Sequence, residues 1–356
     1  MVPNRARSAA TTLGRLVLSD TVKPTKRLIS LTYPDVQLDH QESRQFYQPV
    51  WQSPRNIDYG VFQKVQLSYQ LSHMFGFTEP SFASSVRIAL EKTLPTTKMS
   101  LYSYSKNGTD YYYSFKKETF IKDEINFCCM GDYVADDFAE GFRIFAKEVG
   151  LFEQPRYMLF ITEQPFMETL GPILDEHGFD FCSDNIYGYI MTEEQQDLLM
   201  QQPPLPLPKG YTLGSATLDD VETMVSNYPH RDKEIGLEIE QTKMKIRAFP
   251  SSLIRYNGKP AAWEYVYMDG QLNNLHVLKE HRNKGLGHII QRDLVKKLIR
   301  QSRYIFKSVL VKNERFSRAS DQSPFWTRHI LPDGRLWRPD DVHVFPKGQT
   351  KGQIEY

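Results

Sequence analysis

Over 275–288 the chain reads Leu-His-Val-Leu-Lys-Glu-His-Arg-Asn-Lys-Gly-Leu-Gly-His, a strand-like run that breaks at Arg282-Asn283-Lys284-Gly285-Leu286-Gly287 and passes straight into a helical pattern. The first N–H groups of a helix have no partner within it, and glycines let a ligand come close to the main chain. With Arg282 and Lys284 beside them, the N–H groups of Gly285, Leu286, Gly287 and His288 form a cradle for an anion such as a pyrophosphate. Spacing excludes two better-known phosphate loops. No Gly-x-x-x-x-Gly-Lys-Ser/Thr run occurs, and Ile290 stands where a dinucleotide fingerprint needs its third glycine.

The elements around this loop have to hold it. Asn257-Gly258 separates the strand-like segments 251–256 and 260–268, and Asp269-Gly270 separates the latter from 271–278. Both dipeptides signal two-residue hairpins, so three antiparallel strands feed the loop. Downstream, Leu286, Ile290, Leu294 and Leu298, with Ile289 and Ile299, form one apolar stripe over 284–302, while Arg292, Lys296, Lys297 and Arg300 lie elsewhere. Upstream, 211–216 reads as a strand, and 218–228 and 237–249 as helices, the second stopped by Pro250. A strand over 304–311 and a short polar helix or loop over 313–320 follow.

This order, with its Arg-x-x-Gly-x-Gly loop, resembles the acyl-CoA-binding core of the GCN5-related N-acetyltransferase (GNAT) superfamily. Arg247-Ala248-Phe249-Pro250-Ser251-Ser252, Trp263, Met268-Asp269 and the run from Leu278 to Leu286 resemble its glycine N-acyltransferase branch, and the likeness covers residues 210–320. The resemblance implies an α/β (α+β) fold with a mixed, mostly antiparallel sheet flanked by helices. It also implies acyl-CoA or acetyl-CoA as co-substrate, no metal, and transfer of the acyl group to the amine of glycine or another small acceptor by direct attack in a ternary complex. Arg282 to His288 would hold the pyrophosphate, Val277 and Leu278 would pair with the pantetheine arm, and Asn313 would reach the cofactor or simply cap the helix behind it.

The general base is open. Aligned back from Arg282, the family's glutamate falls on Gln271, which cannot take a proton near neutral pH. His276 and Glu264 are the other candidates, although a lone histidine on a strand is ordinarily structural. Two alternatives therefore stand beside the enzyme: an acyl-CoA-binding pseudoenzyme without a base, and a protein or polyamine N-acetyltransferase.

Composition bounds the rest. A length of 356 residues suits two domains, and the Pro-rich 201–210 is the natural linker between 41–200 and 211–356. Lys+Arg of 44 against Asp+Glu of 43 gives no field to attract nucleic acid, and no apolar run approaches the ~18 residues that span a bilayer. The expected partners are acyl-CoA and a small amine, and the expected state is a monomer. Cys128, Cys129 and Cys182 show neither zinc spacing nor an even disulfide set. Residues 1–40 are basic at their start, with Arg5, Arg7 and Arg15 before the first acid, Asp20, which suits a mitochondrial presequence or a basic tail.

In 41–200, strand, helix, His177-Gly178-Phe179 and strand follow one another as many acyltransferase domains end. No glycine loop accompanies them, and the helix after Tyr133 carries Asp136, Asp137 and Glu140, which would repel a pyrophosphate. Either a second, degenerate GNAT-like domain or an unrelated α/β domain fits.

Overall fold

The computed structural model describes residues 61–65, 80–95, 97–117, 123–154, 157–228, 235–331 and 334–349. The 1–40 segment, and the presequence reading with it, lies outside them. The first half comprises β1 (Val61–Val65), α1 (Pro80–Leu90), β2 (Lys98–Lys106), β3 (Thr109–Lys117), β4 (Asp123–Met130), α2 (Ala135–Glu148), β5 (Met158–Glu163), α3 (Gln164–Glu176), β6 (Phe179–Ile190) and α4 (Glu193–Gln201). The second comprises β7 (Tyr211–Gly214), α5 (Val221–Ser226), α6 (Ile235–Ala248), β8 (Ser251–Tyr256), β9 (Lys259–Val266), β10 (Leu272–Val277), α7 (Leu286–Arg300), β11 (Phe306–Leu310), α8 (Glu314–Asp321), β12 (Thr327–Arg328) and β13 (Pro339–Pro346).

Local chemistry sets the hairpins. Asn107 and Gly108 both have positive φ, as do Asn257 and Gly258, the two-residue turn whose twist matches the strands it joins. The β9–β10 turn differs from the expected two-residue form. Gly270 N–H donates to Tyr267 O and Tyr267 N–H to Gln271 O, so three residues close it, with Gly270 at φ +95°. Asp269 takes the extra place because its carboxylate accepts the Gln271 N–H at 2.9 Å.

Among the described residues the strands join one sheet in the order β1-β2-β3-β4-β5-β13-β6-β11-β10-β9-β8-β7, with β12 beside β6. All pairings are antiparallel except β4/β5 and β10/β11. Each half thus repeats one plan: a three-strand meander, a helix, and a strand parallel to the last of the meander. This is the mixed, mostly antiparallel fold flanked by helices that the sequence resemblance implies.

The halves are not separate in space. Linker residues Leu205 and Leu207 pack on a core of Ile254, Ala262, Leu286, Ile289 and Ile290, and β13 returns from the C-terminal end to lie between β5 and β6. A boundary at 201–210 therefore divides the sequence, whereas the hydrogen-bonded sheet runs through both sides of it. The first half buries an aromatic core of Tyr111, Tyr113, Phe127, Phe138, Phe142 and Phe160. The second packs Leu294, Val295 and Leu298 of α7 against Val266, Leu272 and Val309.

Candidate active site

The glycine loop lies where β10 turns into α7. Asn283 and Gly285 both have positive φ, and Gly285 is the N-cap of α7. His288 N–H already donates to Gly285 O at 3.1 Å, which removes His288 from the expected set of backbone donors. Among the described residues the N–H groups of Gly285, Leu286 and Gly287 have no recorded acceptor. Arg282 Nε donates to Val277 O at 3.0 Å, and Lys284 Nζ to Glu280 O at 2.9 Å. Both side chains are exposed, and among the described residues no acid forms an ion pair with either.

Gly287 is the informative glycine. Its backbone is helical, and a Cβ built on it would meet only Leu275 and Val277 side-chain atoms at 3.9 Å, an ordinary contact. Neither conformation nor packing within the chain calls for glycine there. What remains is clearance on the outer side, where the free N–H groups are.

Below the loop the sheet opens. β10 and β11 are in register at one pair, Leu272 and Lys307, whereas β4 and β5 of the first half are in register at four, Asp123 to Asn126 with Met158 to Ile161. A bulge contributes to the divergence. Asn273 opposes Tyr265 and His276 opposes Trp263, so Asn274 and Leu275 together face Glu264, with Asn274 at φ +53°. The sequence hint of the bulge is the Asn273-Asn274 doublet within the strand-like 271–278, since asparagine tolerates that conformation. Val277 and Leu278, the expected pantetheine partners, are half-buried at the open end of the gap. In the first half β4 and β5 part only after Asn126, beyond which Phe127 to Met130 of β4 have no β5 partner. There Asp137, in the first turn of α2, is engaged by Lys106 at 3.0 Å and by Asn107 at 2.7 Å.

The three candidate bases are not brought together. Gln271 is buried in the β9–β10 turn and contributes backbone hydrogen bonds to it. His276 stacks on Trp263, with ring centroids 4.9 Å apart, on the face of the sheet that also meets Met224 and Ile246. Burial, with repulsion from Arg282 second, holds its pKa below the usual histidine value, so it is neutral at pH 7.

Glu264, the next residue along β9, points to the other face, as strand alternation requires. Its Oε1 accepts from Gln291 Nε2 at 3.1 Å, and its Oε2 has no partner among the described residues. Burial pushes this carboxyl up to about 7, the Gln291 hydrogen bond and the charge of Lys307 opposing. Gln291 Oε1 in turn accepts from Lys307 Nζ at 3.3 Å and from Trp326 Nε1 at 3.1 Å. Gln291 and Trp326 line a cavity of about 320 Å³ between α7 and the segment 319–326, with His288 and Arg292 also in its wall.

Asn313 is the N-cap of α8, its side chain accepting from Phe316 N–H at 3.3 Å. The capping alternative is therefore the one seen, and its carboxamide oxygen is already engaged. Lys307 and Trp326 escaped the sequence reading, since a lysine inside a strand and a tryptophan in a loop carry no spacing signal.

No protein-family model matches the chain, and no curated protein sequence does. Solved structures do resemble it. A Drosophila protein determined by structural genomics is 13% identical and superposes with a TM-score of 0.62 over 82% of this chain and 100% of its own, which shows a shared fold. Looser likenesses, too loose to argue from, include a GCN5-related N-acetyltransferase from Kribbella flavida (11% identity, TM-score 0.42, 76% of this chain and 97% of that one). Another is a tandem GNAT protein from the clavulanic acid biosynthesis pathway (10% identity, TM-score 0.47, 82% of this chain and 100% of that one).

Proposed function

We propose that this protein transfers an acyl group from an acyl-CoA thioester to a small amine, glycine or a related amino acid being the first acceptor to test. The observation that carries the proposal is Gly287: a glycine that neither its helix nor its neighbours need, beside three unpartnered N–H groups at the start of a 15-residue helix. That combination suits a pyrophosphate, with Arg282 and Lys284 adding charge. The pantetheine arm would follow the open edge of β10 past Val277 and Leu278, and the gap then directs the thioester toward the Leu272–Lys307 apex. The first half, with no glycine loop and with acids at its helix start, would support the sheet without binding CoA.

Calorimetric titration of CoA into Gly287→Ala is the test. Alanine fits the helix and the space, so the melting temperature should hold or rise slightly, while CoA affinity falls at least tenfold. Unchanged affinity in a folded Gly287→Ala protein would remove the pyrophosphate from this loop.

A second reading, binding of acyl-CoA without transfer, is favoured by one fact: the position that the resembled branch gives to its base holds Gln271. Turnover separates the two.

A further inference from the structure

The glycine loop accounts for the pyrophosphate of an acyl-CoA and the β10–β11 gap for its pantetheine arm, which leaves the nucleotide end of that molecule without a place. Two adjoining hollows begin beside the loop. Resting on the acyl-CoA reading, we propose that the cavity between α7 and the segment 319–326 receives the adenosine, and that Arg315 and Arg318 in the adjoining groove hold its 3′-phosphate.

Position is the first argument. His288, Gln291, Arg292 and Val295 recur at helical spacing along one flank of α7, so the cavity starts one residue past Gly287 and follows the helix for about two turns. Its volume of about 320 Å³ falls at the low end of the roughly 300–1,000 Å³ that small-molecule sites occupy. A groove of about 350 Å³ over the outer face of α8 shares Ala319 and Gln322 with it. A different face of α7, with Leu286, Ile289 and Ile290, packs against Leu275 and Val277 of β10. The arm and the nucleotide thus leave the pyrophosphate on separate sides of the helix.

The chemistry of the walls is the second. Arg292 lays its guanidinium over the Phe325 ring, 4.7 Å from the centroid, and among the described residues no acid pairs with it. Guanidinium planes and aromatic rings are the surfaces on which purine bases stack. The Gln322 side chain has no recorded hydrogen-bond partner among the described residues, which leaves a carboxamide able to pair with the edge of adenine. A saturated acyl chain would offer Arg292 and Gln322 nothing to bind.

Charge is the third. Arg315 and Arg318 stand three residues apart on α8, both exposed, and both line the groove. Among the described residues neither forms an ion pair, and Glu314 is the acid in the groove wall. Two guanidinium groups against one carboxylate leave the groove positive, and their planar forks match the oxygens of a phosphate.

The experiment titrates three ligands calorimetrically into the full chain: CoA, dephospho-CoA, which lacks only the 3′-phosphate, and 4′-phosphopantetheine, which lacks the nucleotide. Wild type should hold CoA more tightly than dephospho-CoA, by a margin that shrinks as salt rises toward 1 M. In the double variant Arg315→Ala, Arg318→Ala, CoA should weaken about tenfold and lose that margin, with the other two ligands unchanged. Arg292→Ala removes a stacking plane, and Ala319→Trp fills the wall common to both hollows. Each should weaken CoA and dephospho-CoA alike, by about 5- to 150-fold, and leave 4′-phosphopantetheine as it was. Variants that weaken 4′-phosphopantetheine as much as CoA would put the arm in the cavity, and variants that change none of the three would put the adenosine elsewhere. Either result overturns the proposal and leaves the glycine loop standing, as does a wild type that binds CoA and dephospho-CoA equally. Wild type that binds none of the three removes the acyl-CoA reading, and this one with it.

Discussion

Arg282 shows how much one side chain reveals when its hydrogen bonds are known. Its Nε is tied to Val277 O, and among the described residues its outer nitrogens have no acceptor. Replacing it with alanine should therefore weaken CoA by several-fold, and weaken a pantetheine fragment lacking the pyrophosphate far less. The difference should shrink as ionic strength rises toward 1 M, where charges are screened beyond about 3 Å. Equal losses for both ligands, insensitive to salt, would mean that Arg282 only braces the end of β10. The loop was legible because glycines ahead of an apolar stripe at helical spacing mark the start of a helix. The buried titratable groups were not, because proton affinity depends on burial: Lys307 and Glu264 are ordinary in sequence and unusual only where α7 and β11 enclose them.

At the scale of elements, the sequence announced whatever local chemistry decides. Asn-Gly turns, the apolar stripe of α7 and the stop at Pro250 all gave their elements to within a few residues. Two features depended on partners distant in sequence. The bulge at Asn274 exists because two residues of β10 share Glu264 as their opposite, and no pattern within 271–278 shows that. The divergence of β10 from β11 is likewise a property of the pair. The parallel strands part after one pair in the second half and after four in the first, and of that contrast the sequence expressed only a loop present in one half and absent in the other.

At the scale of the molecule, the turn that begins β10 is clamped by the first half. Ser81 Oγ on α1 donates to Asp269 at 3.0 Å, and the Lys116–Glu124 pair lies close enough to influence that carboxyl. Burial, then the charge of Glu124, raises Asp269 to about 7 from an ordinary 3.8. A carboxyl with a raised folded-state pKa contributes stability that is complete below about pH 4 and is lost as pH climbs through about 7. Melting temperatures across that window should therefore fall more in wild type than in Asp269→Asn. Parallel curves would mean that the carboxyl is not held protonated at the junction. The return of β13 into the first half was illegible for a related reason: no motif marks 339–346, and its place is set by the free edges of β5 and β6.

Acyl transfer itself is tested most directly by following free CoA thiol as the full chain is given an acyl-CoA with and without glycine or other small amines. The predicted result is thiol release that requires the amine, saturates with acyl-CoA and disappears in Gly287→Glu, where a carboxylate would occupy the anion's place. CoA bound tightly by the wild type, with no amine-dependent release for any pairing of thioester and amine, would contradict it and leave a protein that holds acyl-CoA without using it.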